Sequence, residues 1–297
     1  MVYTGPIPFT RVTSHKEGAY QMVLKRLGIA GAIAILPAMA QVSSTSAHAV
    51  ALKAFQTHHG PIKIIEQHAD GSVESTNWSG YAVTGSDFKG ASGSWIEPAI
   101  TCNKKTDTEL AAFWVGLDGY NDNTVEQTGT LAACVNGQEQ HLAWYEFYPK
   151  EAIIEIKSVP VSAGDKIATI VKYDKKTNNF TLTIKDETTG KHFSFVGTEP
   201  GTNRASAEWI AEAPCCVGNG VYPLPDFGTA LFGMDSTSVA YTNDASDGKH
   251  KGPFNTFPAA DVFAITMVNA SGSHPAESVP SAPTTDGSSF SVQWVSP

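Results

Sequence analysis

From Asn77 onward the chain is a succession of short apolar runs rich in Val, Ile, Thr, Phe, Tyr and Trp. Gly, Asn, Asp and Pro clusters separate the runs at intervals of about ten residues, the spacing of strands in an all-β domain. The runs include WSGYAVT (78–84), ASGSWIEP (91–98), AAFWVGLD (111–118), HLAWYEFYP (141–149), KIATIVKY (166–173), NFTLTIKD (179–186), HFSFVG (192–197), SAEWIAEA (206–213), DVFAITMV (261–268) and SFSVQWV (289–295). None has the length and 3.6-residue period of a long amphipathic helix. The pattern predicts a sandwich of two antiparallel sheets, of the concanavalin-like or jelly-roll-like kind.

Alternation within the runs assigns faces, because residues i and i+2 project to the same side of a strand. Trp144, Glu146 and Tyr148 share one face against Tyr145 and Phe147. Glu208, Ile210 and Glu212 oppose Ala207, Trp209 and Ala211, and Trp114, Gly116 and Asp118 oppose Phe113, Val115 and Leu117. Three strands therefore each place a carboxylate among apolar neighbours on one face, which is the composition of a cleft floor.

The N-terminal part of the chain is of another kind. Residues 25–40, KRLGIAGAIAILPAMA, put two cations before an apolar stretch that ends on small residues, the layout of a secretory signal peptide. That stretch is too short to span a bilayer. Residues 1–49 are read as the signal region, with Met22 an alternative start and cleavage after Ala40 or Ala49. Residues 50–74 carry His58, His59 and His68 and are read as a pro-segment outside the core, leaving 75–297 as the catalytic domain.

Charge divides the chain at the same place. Residues beyond 69 hold 27 Asp and Glu against 14 Lys and Arg, whereas the first 69 hold two against six. With Arg204 the sole arginine of the body, no cationic stripe is available for a phosphate backbone or an anionic membrane. An acidic body suits work in acid, where carboxylates take up protons. Four cysteines in an exported chain permit disulfides; Cys102 with Cys134 is the favoured pair, leaving Cys215 and Cys216 bridged to each other or free. Their spacing fits no zinc pattern and H-E-x-x-H is absent, so neither a metal nor another cofactor is expected.

Nucleophile signatures are missing as well: GASGS (90–94) lacks the G-x-S-x-G spacing, and no D-T-G or D-S-G pair is present. A Q-T-G stands at Gln127. The ordered blocks NWSGYAV (77–83), FWVGLDGY (113–120), VEQTGT (125–130), AWYEFYP (143–149) and SAEWIAEAP (206–214) resemble the motif series of the glutamic peptidases, or eqolisins. The resemblance implies a concave sheet carrying a catalytic pair, which falls on Gln127 and Glu208. It places supporting cleft residues at Trp78, Trp114, Asp118, Glu146 and Tyr148, and it implies an acid endopeptidase, insensitive to pepstatin, acting as a monomer on protein or peptide substrates.

The residue types suit that chemistry. A Glu takes a proton from water and returns it to the departing amine, while a neutral Gln amide donates to the oxyanion at any pH. Two other readings share the concave aromatic face: a carbohydrate-binding sandwich, and a glycoside hydrolase using Glu146 and Glu208.

Overall fold

A computed structural model describes residues 57–103, 108–217 and 220–297; the signal region and residues 50–56 lie outside the described residues. In chain order the strands are β1 (Ile64–Gln67), β2 (Val73–Ser75), β3 (Trp78–Thr84), β4 (Gly90–Ile96), β5 (Glu109–Leu117), β6 (Val125–Val135), β7 (Gln138–Tyr148), β8 (Ile154–Glu155), β9 (Lys166–Asp174) and β10 (Asn179–Asp186). They continue as β11 (His192–Gly197), β12 (Ser206–Glu212), β13 (Cys215–Val217), β14 (Gly220–Val221), β15 (Thr229–Gly233), β16 (Asp244–Ser246), β17 (Lys251–Pro253), β18 (Val262–Val268), β19 (Ala276–Pro280) and β20 (Ser289–Trp294). Among the described residues the only α-helix is the single turn Met234–Thr237, and no helix is long and apolar enough to cross a membrane.

The strands form two layers. One runs β1-β2-β18-β3-β12-β5-β6-β7-β8, antiparallel except where β2 and β18 pair in parallel. The other runs β11-β10-β9-β4-β15-β20-β19. Strand β19 pairs with both β20 and β18 and so stitches the layers together. The expected antiparallel sandwich is present, and WSGYAVT, NFTLTIKD and HFSFVG coincide with β3, β10 and β11.

Two apolar clusters mark the two faces of the first layer. Phe113, Val115, Leu117, Tyr145, Phe147, Ala207, Trp209 and Ala211 face the second layer, where they meet Trp95, Ile167, Phe180 and Phe232. Trp78, Trp114, Trp144 and Ile210 form a separate cluster on the opposite, site-bearing face. These are the faces that alternation assigns. Strand β10, one face to the core, alternates between partly and fully buried residues, while β5, β6 and β12 are buried along their whole length.

Both disulfides form: Cys102 with Cys134, and Cys215 with its neighbour Cys216. The 50–74 segment is described from Thr57. From Thr57 on it packs against the body, with Thr57, His59 and Val73 buried and β2 paired to β18. The segment docks through backbone hydrogen bonds at Thr57, His58 and Ile62 and through the contact of His58 with Glu146.

Candidate active site

Strand register assembles the central row. Ala82, Glu208, Gly116, Gln127 and Glu146 are successive cross-strand partners on β3, β12, β5, β6 and β7. Directly opposed residues project to the same face, so Glu208, Gln127 and Glu146 point together. Glu208 and Gln127 are two strands apart, about 10 Å between Cα atoms at the usual strand spacing. Gly116 lies between them, and its lack of a side chain keeps the interval open. A Cβ there would stand 2.8 Å from Trp114 Cζ3 and 3.3 Å from Gln127 Cβ.

The next row along the strands is Gly80, Ile210, Trp114, Gly129 and Trp144. Gly129 is needed because a Cβ would fall 2.6 Å from that of Trp114. Trp78 packs edge-on against Trp114 at 5.0 Å between ring centroids. Trp114 Nε1 donates to Glu212 Oε2 at 2.7 Å. Glu212, which sequence reading only placed on the face of Glu208, thus belongs to the same floor. Its position four residues beyond Glu208 on one strand face was the available signal.

The floor is covered. Glu208, Gln127 and Glu146 are fully buried, and His58 and His59 lie against Gln127 and Glu146. Gln127 Nε2 donates a very short hydrogen bond to the His59 carbonyl and a longer one, 3.3 Å, to Glu146 Oε2. Glu146 accepts the His59 amide at 2.9 Å, and its other oxygen lies 3.0 Å from His58 Nδ1. The His59 ring sits 4.1 Å from that of Trp144, with Nδ1 3.7 Å from Glu212 Oε2. Tyr148 stands edge-on to His58 at 5.8 Å.

Burial in this apolar setting disfavours every charged form. It pushes the Glu146 carboxyl up to about 7, against the opposing hydrogen bond from His58. It raises Glu208 and Glu212 well above the usual carboxylate range, with Asp118 and Asp122 adding to the first and Glu146 to the second. It holds His59 down at about 3, helped by the charge of His58. The Oε1 of Gln127 has no hydrogen-bond partner, and the Glu208 carboxyl has none of good geometry, its nearest polar neighbour being the Ser206 hydroxyl.

Asp118 works at a different place from the Gln127 amide. Its carboxylate accepts the backbone amides of Arg204 and Ala205 at 2.9 and 2.6 Å, fixing the turn that leads into β12 and Glu208. Burial raises it to about 7. Strand reading missed Glu126, buried on the opposite face beside Gln127 with neither oxygen paired. Away from the floor, Glu66, Glu74 and His274 bring potential ligand atoms within 4.8 Å of one another. The 3.1 Å hydrogen-bond contact between His274 Nδ1 and Glu74 Oε2 accounts for part of that cluster.

A two-layer antiparallel sandwich with a Gln and a Glu aligned across one glycine on its buried floor is the architecture of a glutamic peptidase. The Peptidase A4 family model matches residues 76–256, more than half of the chain, and the chain belongs to that family, the eqolisins. It is 29% identical over 195 residues to Aspergillopepsin-2 of Aspergillus niger, an alignment covering 58% of this chain and 68% of the relative. Scytalido-glutamic peptidase, solved with a transition state analog inhibitor, shares the fold at a TM-score of 0.58 and 22% identity, over 74% of this chain and 98% of its own. Aspergilloglutamic peptidase from Aspergillus niger does so at 0.50 and 24%, over 63% and 99%.

Proposed function

We propose that this peptidase is a secreted acid endopeptidase in which Gln127 and Glu208 hydrolyse peptide bonds without a covalent intermediate. The observation that carries the reading is the hydrogen bond from Gln127 Nε2 to a peptide carbonyl, that of His59, with Glu208 aligned in the same row. An amide donor already on a carbonyl oxygen is poised to stabilise the oxyanion that forms there.

In this reading Glu208 takes a proton from the attacking water, whose oxygen bonds to the carbonyl carbon. The oxygen of the tetrahedral species is held by Gln127, and the Glu208 proton passes to the nitrogen as the C–N bond breaks. Glu146 braces the Gln127 amide through its 3.3 Å contact, and Asp118 sets the approach of β12. Trp78 and Trp114 form the apolar floor that keeps the carboxyls poorly hydrated, which supports work in acid. Export by the leader at 25–40, a pro-segment beginning at residue 50 and action as a monomer on protein or peptide substrates complete the proposal. Membership of a peptidase family favours it over sugar binding and over glycoside hydrolysis by Glu146 and Glu208.

The test is a digest of a denatured protein at pH 3–5, with fragments read by mass spectrometry. Wild type should cut in the presence of pepstatin, and Glu208→Gln and Gln127→Ala should each lose on the order of 10²-fold or more in rate. Cutting that survives either change rejects the dyad.

A further inference from the structure

The hairpin of β1 and β2 sets two like charges against each other. Glu66 and Glu74 are direct cross-strand partners, so their side chains project to one face, and like charges in that relation destabilise a sheet. His68, two residues beyond Glu66, continues the same face. It opens the hairpin turn, with its amide donating to the Ser72 carbonyl at 2.9 Å. Among the described residues no Lys or Arg pairs with either carboxylate, and the groups that face them are histidines.

A third segment brings the second imidazole. Strand β2 pairs in parallel with β18, and the turn between β18 and β19 carries His274 to the hairpin. His274 Nδ1 lies 3.1 Å from Glu74 Oε2, and His68 Nε2 lies 3.3 Å from Glu74 Oε1. His68 Nδ1 stands 3.6 Å from Glu66 Oε1. One ligand atom from each of Glu66, Glu74 and His274 falls within 4.8 Å of the others. Donor atoms bound about 2.1 Å from one zinc ion stand roughly 3.4 Å apart in a tetrahedral shell, so a small inward shift of these side chains closes a site.

Ligation requires neutral imidazoles, and the cluster then carries the two negative charges of its glutamates, which one dication neutralises. Mixed imidazole and carboxylate ligands suit zinc and its first-row neighbours, whereas calcium and magnesium take oxygen. The absence of a zinc spacing in the sequence does not bear on this site, because its residues stand at positions 66, 74 and 274 and no short motif spans them.

We propose that Glu66, Glu74 and His274 hold a divalent first-row transition ion of the zinc type, with water completing the shell and His68 orienting the two glutamates from outside it. The ion clasps the β1–β2 hairpin, part of the 50–74 segment, to the β18–β19 turn of the body. It removes the repulsion between Glu66 and Glu74 and joins positions 200 residues apart in the chain.

The experiment uses the full chain, stripped of metal with a chelator, at about pH 7.5. Zinc binding is measured by calorimetry, and Tm is followed with Zn²⁺, Ca²⁺ or Mg²⁺ and without metal. Expected results are one-to-one zinc binding at sub-millimolar concentration, a Tm rise of about 5 °C or more at saturation, and little response to calcium or magnesium. Glu74→Gln and His274→Asn should each weaken zinc binding tenfold or more; asparagine suits the left-handed backbone of position 274, at φ 48°. Glu66→Gln separates a metal site from plain ion pairing. Without metal its Tm should equal or exceed that of wild type, since the opposed charges are gone, and with zinc most of the rise should be lost. Absence of zinc binding, a zinc response that survives all three changes, or an equal response to calcium overturns the inference.

Discussion

Glu208 and Gln127 face each other across Gly116, each the direct cross-strand partner of that glycine. Replacing Gly116 by Ala inserts a methyl 2.8 Å from the Trp114 ring and 3.3 Å from Gln127 Cβ. Overpacking of this order costs about 1–3 kcal/mol. Gly116→Ala is expected to unfold at lower urea concentration than wild type and, in the proposed mechanism, to lose more than tenfold in peptide-cleavage kcat, because the methyl intrudes between Gln127 and Glu208.

Asp118 holds two backbone amides, Arg204 N and Ala205 N, from a left-handed backbone position at φ 69°. Asp118→Ala strands both buried donors and puts alanine where aspartate and asparagine are better tolerated. A loss of about 2–4 kcal/mol is expected, against a smaller one for Asp118→Asn, which keeps one acceptor and the backbone preference. Urea unfolding of the two variants at pH 5 checks the order.

The buried floor makes stability depend on pH in two opposed senses. His59, held at about 3 against an ordinary 6.5, stays neutral when docked. Its contribution is complete above pH 6.5 and is lost as pH falls from there toward 3. Glu146, at about 7 against an ordinary 4.5, contributes fully below pH 4.5 and loses that contribution as pH rises through 7. Glu208 and Glu212, also raised by burial, act in the sense of Glu146. His59→Gln should flatten the acid side of the stability profile by up to about 4–5 kcal/mol, and Glu146→Gln should flatten the neutral side. Unfolding free energies at half-unit steps from pH 3 to 8 distinguish the two.

The Cys102–Cys134 bridge closes a loop with a sequence separation of 32. Chain-entropy arguments assign a cross-link of that span about 3–4 kcal/mol. The double variant Cys102→Ala, Cys134→Ala is expected to lose stability of this order while keeping the register of β5 and β6, checked by thermal unfolding under oxidising conditions.

Much of the sandwich was legible in the chain because strand faces follow a period of two. The alternation in SAEWIAEA and AWYEFYP separates residues of the inter-layer core, such as Trp209 and Phe147, from those of the floor, such as Ile210 and Trp144. Strand β6 was harder. VEQTGTLAACV is buried along its whole length, so its polar and small residues carry no simple alternation, and Gln127 stood out only through the motif resemblance.

The sequence by itself determined the strand pattern, the sharing of one face by Glu208, Ile210 and Glu212, and the motif series that marks the family, because these are local properties of a pleated chain. Only the tertiary structure decided that Gly116 separates Glu208 from Gln127, that Asp118 braces the start of β12, and that His58 and His59 rest on Glu146 and Gln127. The reason is physical. Register between strands and the docking of residues 57–62 depend on backbone hydrogen bonds between positions far apart in the chain, and every residue type except proline offers the same backbone donor and acceptor.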